Sequence, residues 1–177
     1  MQSLPRIKPH YAIKANNDPL ILRLFAHLDT GFDCASQAEL EQVLEIGVDA
    51  ERIIYANPCK AKSSLIHAYR RGVDYMTFDN EHELHKVKES HASAKLLLRI
   101  KTDDSSAKWA LGIKFGADMK TALGLVDLAR ELKLNLVGVA FHVGCSNLKV
   151  RKIFSHKKKS KRRRNCKIMI HILNNLP

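Results

Sequence analysis

The sequence predicts an α/β fold: a parallel sheet whose strands are joined by helical crossovers. Short apolar runs alternate strictly with longer amphipathic stretches. The runs recur roughly every 20 to 40 residues, the spacing of βα units. Capping residues and glycines mark helix starts and stops in the right places between them.

Each element follows from local signals. His10–Lys14 (HYAIK) reads as a strand, closed by Ala15-Asn16-Asn17. Asp18-Pro19 opens a helix to about Leu28, with Asp18 as N-cap and Pro19 at the first helical position. Gly31–Cys34 is the second strand. Ser36-Gln37-Ala38-Glu39 has the spacing of a capping box, and its helix stops at Gly47. Arg52–Ala56 is the third strand, Lys62 to Arg71 a helix ending at Gly72, and Tyr75–Asp79 the fourth strand. Asn80 caps a helix to about Ser90. Lys95–Ile100 is the fifth strand, Asp118 starts a helix to Lys133, and Asn135–Gly144 is the sixth strand. This alternation fits either an open doubly wound sheet or a β/α barrel. A barrel needs eight units and about 250 residues, so one built from six strands is partial.

The net charge of +12 is unevenly spread. Residues 148–177 hold eleven Lys and Arg and no Asp or Glu, leaving 19 basic against 18 acidic residues in 1–147. The body is nearly neutral, and the basicity belongs to a tail, which argues against a nucleic-acid-binding fold. The domains are therefore read as 1–147, a partial barrel, and 148–177, a basic tail that is disordered or non-native. Cys34, Cys59, Cys145 and Cys166 form neither a zinc spacing nor a disulfide framework; free thiols fit a reducing, cytoplasmic setting. No apolar run reaches the roughly 18 residues of a membrane span, and residues 1–9 lack the apolar core of a signal peptide. No metal site is expected.

In parallel β/α folds, function sits at the C-terminal ends of the strands. Lys14 ends the first strand there, Asp33 lies on the second, Arg99 on the fifth and His142 on the sixth. Singly, each has an ordinary reading: a solvated lysine, a turn aspartate, a strand-end arginine, a core histidine. Jointly they put a lysine, a carboxylate, a guanidinium and an imidazole on one rim, where a desolvated lysine becomes nucleophilic or forms a Schiff base. The GxGxxG, Walker A, GxSxG and HExxH patterns are absent.

Seven blocks in order carry a family resemblance. Pro9-His10-Tyr11-Ala12-Ile13-Lys14-Ala15-Asn16 resembles the cofactor-lysine motif of the eukaryotic ornithine decarboxylase family. Gly31-Phe32-Asp33-Cys34-Ala35-Ser36 with Glu39, and Arg52 to Lys60, resemble the next two blocks. Thr77-Phe78-Asp79, Leu98-Arg99-Ile100 with Thr102-Asp103-Asp104, Lys114 to Ala117, and Val137 to Gly144 complete the series. The resemblance covers about residues 4–144. It implies an eight-stranded β/α barrel, a β-rich second domain and a homodimer. It also implies pyridoxal phosphate as cofactor, carried covalently by Lys14. Asp33 and Glu39 would form the polar wall, Arg99 would lie near the cofactor, and His142 would stack on its ring. The implied activity is decarboxylation of ornithine to putrescine in polyamine synthesis. The family also contains antizyme inhibitors, non-catalytic binders of antizyme, and Lys62 to Lys86 corresponds to its antizyme-binding region.

The resemblance stops inside a motif. Where the family has Gly-Ser-Gly, this chain has Gly144-Cys145-Ser146. The later glycine-rich phosphate loop, the acid that pairs with the pyridine nitrogen and the second-domain Cys, Asp and Tyr lie beyond it. The expectation is a truncated product without decarboxylase activity of its own. Lys157–Arg164 (KKKSKRRR) also reads as a nuclear-targeting or polyanion-binding patch.

Overall fold

The structure is a computed structural model that describes residues 7–105, 114–143 and 167–171. Seven strands lie side by side in chain order and every neighbouring pair is parallel. They are β1 (His10–Ala12), β2 (Gly31–Cys34), β3 (Ile53–Tyr55), β4 (Tyr75–Phe78), β5 (Lys95–Ile100), β6 (Asn135–His142) and β7 (Lys167–His171). The helices between the first six are α1 (Pro19–His27), α2 (Gln37–Glu45), α3 (Lys62–Arg70), α4 (Glu81–Ser90) and α5 (Met119–Glu131). A doubly wound sheet reverses its strand order at a switch point. This sheet never reverses, so it follows the sequence of a (β/α)8 barrel, and the molecule is a partial barrel.

Strand parity sorts the side chains into two layers. Phe32 and Cys34 of β2, Ile53 and Tyr55 of β3, Met76 and Phe78 of β4, and Leu96 and Leu98 of β5 face the helices. There they join Leu40, Leu65, Leu84 and Leu125 in the main core. Phe32 and Phe78 are fully buried, and each such side chain contributes about 1.5–3 kcal/mol of transfer free energy. The opposite, inner face carries a smaller cluster of Ile54, Leu97 and Ala140, with Tyr75 and Val137 packed against it. Between β5 and β6 the register shifts by one residue: Leu96 pairs with Leu136, but Leu97 pairs with Gly138.

Four helices start at side-chain caps, two of them, Ser36 and Asn80, just past a strand end. Asp18 Oδ1 accepts from Leu20 N at 2.8 Å, Ser36 Oγ from Glu39 N at 3.2 Å, Asn80 Oδ1 from Glu83 N at 2.9 Å, and Asp118 Oδ1 from Thr121 N at 2.8 Å. The N-caps read in the sequence therefore form, while the capping box at Ser36 is shifted: Glu39 accepts from Ala35 N–H, one residue before the N-cap. Ser36→Ala removes the cap of α2 and should lower stability by about 1 kcal/mol. A urea midpoint unchanged from the parent would show that α2 does not depend on it.

Two expectations need correction. The first strand was expected to run to Lys14, but β1 ends at Ala12 and Ile13–Ala15 is a 3-10 turn. The Tyr11 hydroxyl donates to Asn16 O at 2.9 Å, and Asn16 Oδ1 accepts from Asp18 N at 2.9 Å. These bonds curl the chain away from the sheet toward α1. The second correction concerns the strand count. Beyond Gly144 no further strand was expected, yet β7 pairs with β6 from Gly138↔Lys167 to His142↔His171. The five-residue run KIMIH is enough for an edge strand, but it follows a long basic block and gives no periodic signal of its own. The Gly144-Cys145-Ser146 motif, the KKKSKRRR block and most of the 148–177 tail lie outside the described residues.

Candidate functional site

Lys14 is presented by the turn that follows β1. Its neighbour Ile13 is 1% exposed and anchors the turn in the core, while Lys14 itself is exposed. Tyr11 steadies the turn from below, its ring stacked on Phe25 with centroids 4.1 Å apart. A cavity of about 430 Å³ opens here, lined by Ile13, Lys14, Ala15, Asn16, Asn17 and Glu39. Glu39, in the first turn of α2, is half-buried, and its carboxylate accepts from the backbone N–H of Ala35. The structure thus brings Lys14 and Glu39 to one cavity.

Asp33, Arg99 and His142 reach the rim from the inner face of the sheet. Asp33 lies between the outward Phe32 and Cys34 and is 4% exposed. Arg99 lies two residues after the inward Leu97, and His142 two after the inward Ala140; His142 is 8% exposed. The Arg99 guanidinium sits 5.0 Å from the centre of the Phe115 ring, a cation–π contact. Burial pulls the Arg99 pKa below the usual arginine value, and the charges of Asp79 and Asp33 oppose that pull. The main-chain oxygen of His142 accepts from Thr102 Oγ1 at 2.6 Å, which ties the end of β6 to the loop after β5. Neither Arg99 nor His142 lines the Lys14 cavity; they occupy β5 and β6, at the far end of the sheet from β1.

The sequence reading missed three contributors. Asp79 stood in a family block without a role, although a carboxylate at the C-terminal end of a strand is close to the signal that singled out Asp33. Phe115 gave no signal. The third is a buried charge cluster. Lys60 Nζ bonds Glu83 Oε1 at 2.8 Å, Thr77 O at 2.7 Å and Asn57 O at 2.9 Å, and both charged side chains are 0% exposed. Lys86 Nζ reaches Glu83 Oε2 at 2.6 Å. The three Lys60 protons are therefore all placed, and the loop after β3 is stitched to β4 and the start of α4. Asn57 extends the stitching by donating through Nδ2 to Ala35 O at 3.3 Å, the residue whose N–H holds Glu39.

A curled parallel sheet that offers a lysine just past its first strand, with carboxylates, a guanidinium and an imidazole on the same rim, defines a β/α-barrel domain built to carry a carbonyl cofactor. The chain belongs to the pyridoxal-dependent decarboxylases: the family model of their pyridoxal binding domain matches residues 1–167. Ornithine decarboxylase of Schizosaccharomyces pombe is 53% identical over 141 residues, which are 80% of this chain and 33% of that protein. Antizyme inhibitor 2 of Xenopus laevis is 49% identical over 144 residues, 81% of this chain and 32% of its own length. The chain thus spans about a third of the curated relatives it matches. Among solved structures, the arginine decarboxylase of Paramecium bursaria Chlorella virus superposes with a TM-score of 0.78 at 42% identity, covering 80% of this chain and 39% of that one.

The site fits pyridoxal phosphate. An exposed lysine can reach the cofactor aldehyde, and the cavity beside it, which it shares with the Glu39 carboxylate, has the size of an ordinary small-molecule pocket.

Proposed function

We propose that this chain is the cofactor-binding part of an enzyme that decarboxylates ornithine to putrescine, the step that feeds polyamine synthesis. The observation that carries the proposal is the placement of Lys14 in a turn past β1, open to one cavity with Glu39. Pyridoxal phosphate, when bound, supplies an electron sink for the pair left on the substrate carbon as carbon dioxide departs.

Lys14 would hold the cofactor covalently and release it to the substrate amine, its exposed nitrogen free to exchange protons. Asp33, buried on the inner face, and Glu39, anchored on Ala35 N–H, would form the polar wall that orients the ring. Arg99 would face an anionic group of the cofactor, and His142, at the end of β6, would stack on the ring. The stitched loops after β2, β3 and β4 keep that wall in place.

The test is a competition. Borohydride should fix pyridoxal phosphate on Lys14, and ornithine added before reduction should carry the label off Lys14 onto its own amine. Lysine and arginine, tested in parallel, rank the substrates. A label that no basic amino acid displaces would sink the substrate assignment.

Homodimerisation and a cytoplasmic location belong to the same proposal. The family resemblance supports the first. Free Cys34 and Cys59, together with the absence among the described residues of any helix long and apolar enough to cross a membrane, agree with the second. A second reading, non-catalytic antizyme binding, draws on the antizyme-inhibitor relative and would use α3 and α4. The joint presence of Lys14, Asp33, Arg99 and His142 favours the catalytic reading; capture by immobilised antizyme separates the two.

A further inference from the structure

The segment that returns from β5 to α5 folds back onto the strand it has just left. Ile100 bridges Ala117 in parallel register. Lys101 N–H donates to Ala117 O at 2.8 Å, and Ala117 N–H donates to Arg99 O at 2.9 Å. Gly116 makes this return possible. Its φ is +101°, and a Cβ there would lie 2.9 Å from Lys101 N and 3.0 Å from Ile100 C, backbone atoms that cannot move aside. The turn brings the Phe115 ring against the Arg99 guanidinium.

One side chain ties this turn to the neighbouring strand. Asp79, the residue after β4, accepts from Gly116 N–H through Oδ2 at 2.8 Å, and its Oδ1 accepts from Asn80 Nδ2 at 3.0 Å. Of the two carboxylates whose charge acts on Arg99, Asp79 is the stronger. Arginine does not shed its proton in a protein, so a half-buried guanidinium needs a nearby anion, and a fixed anion fixes its position.

We infer that Asp79 is a positioning residue of this site: its carboxylate pins the Phe115–Gly116 turn with one oxygen and its charge eases the burial of the Arg99 charge, so that the guanidinium is held against the Phe115 ring and presented to an anionic group of the cofactor. The inference rests on the pyridoxal phosphate reading of the site. It adds a residue that acts through Arg99 without touching the cofactor.

The test uses the 177-residue chain with Asp79→Asn, which keeps the acceptor for Gly116 N–H but loses the charge, and Asp79→Glu, which keeps the charge. In the cofactor-free chain, phenylglyoxal modification of Arg99 is followed by mass spectrometry. Asp79→Asn should speed it several-fold and Asp79→Glu should largely restore the parent rate. Arg52, whose guanidinium is held by the carbonyls of Ala26 and Thr30, should react at the parent rate in all three and serves as the folding control. In a second arm, the pyridoxal phosphate concentration giving half-maximal borohydride-fixed label on Lys14 should rise about tenfold in Asp79→Asn. An unchanged Arg99 rate overturns the inference, and so does acceleration at Arg52 as well, which would mean a general loosening. An unchanged half-saturation in a variant whose Arg99 has become reactive also overturns it. If the parent chain shows no label on Lys14, the cofactor reading fails, and the Arg99 rates still decide whether Asp79 holds that guanidinium.

Discussion

Lys14→Ala abolishes the borohydride-stable attachment of pyridoxal phosphate at this site and leaves the fold intact. The expectation of total loss is chemical. Only an amine can condense with the cofactor aldehyde, and among the described residues no other lysine lines the Lys14 cavity. The expectation of an intact fold is physical. Lys14 is exposed and its turn is held by Ile13, Tyr11 and Asn16, none of which the substitution touches. Surface substitutions of this kind stay within about 0.5 kcal/mol, which for a chain of this size is a melting shift of about 1–2 °C. Peptide mapping after reduction, with calorimetry on the same sample, checks both halves. A label of parent intensity on another lysine would move the site elsewhere and defeat the assignment.

The second large effect lies away from the cofactor. Glu83→Ala strands the Lys60 ammonium in the interior with only carbonyl partners, beside a Lys86 left with only the Lys60 carbonyl. Breaking a buried pair from one side costs about 3–5 kcal/mol, so the melting temperature should fall by about 10 °C. Lys60→Met should cost less, because Glu83 keeps Lys86 at 2.6 Å. That asymmetry is the discriminating measurement: equal losses would mean that the cluster acts only as packing. The pH dependence of the Glu83→Ala loss has a definite sign. Burial already depresses the Lys60 pKa, and Glu83 is the main group opposing that. Below the ordinary lysine value and above the depressed one, the unfolded chain binds more protons than the folded one, so stability rises with pH across that window. Without Glu83 the depression deepens and the window widens, and the deficit should therefore shrink as the solution is made alkaline.

Much of the architecture was legible because local signals agree with one another. Asp18-Pro19, Ser36 with Glu39, Asn80 and Asp118 each announce a helix start, and each forms the cap that its residue type suggests. Asp33, Arg99 and His142 were legible as rim residues because strand ends can be read from apolar runs. What escaped was tertiary. Lys60 and Glu83 stand 23 positions apart and look like two surface charges until the loop after β3 lies against α4. Phe115 lies on a loop with no periodicity, and its role depends on a glycine backbone angle that no composition rule reveals. The turn at Lys14 was read as strand because HYAIK is apolar enough to continue one; a tyrosine hydroxyl bonded to the Asn16 carbonyl ends it instead.

The one-residue slip between β5 and β6 has a consequence for His142 that works by odd and even counting. Up to Leu136 the two strands keep step, and in that phase the odd-numbered residues of both would point inward. Val137 is the supernumerary residue that changes the phase of β6 alone. From Gly138 onward its even-numbered residues share a face with the odd-numbered ones of β5, so Ala140 comes to lie beside Arg99 and His142 follows on the same side. Had the strands stayed in step, Phe141 would occupy the inner rim and the imidazole would be turned into the helical layer. The chemistry offered by the sixth strand is therefore set by an irregularity five residues before its end, and the same sequence paired without that slip would present an aromatic hydrocarbon where this chain presents a base.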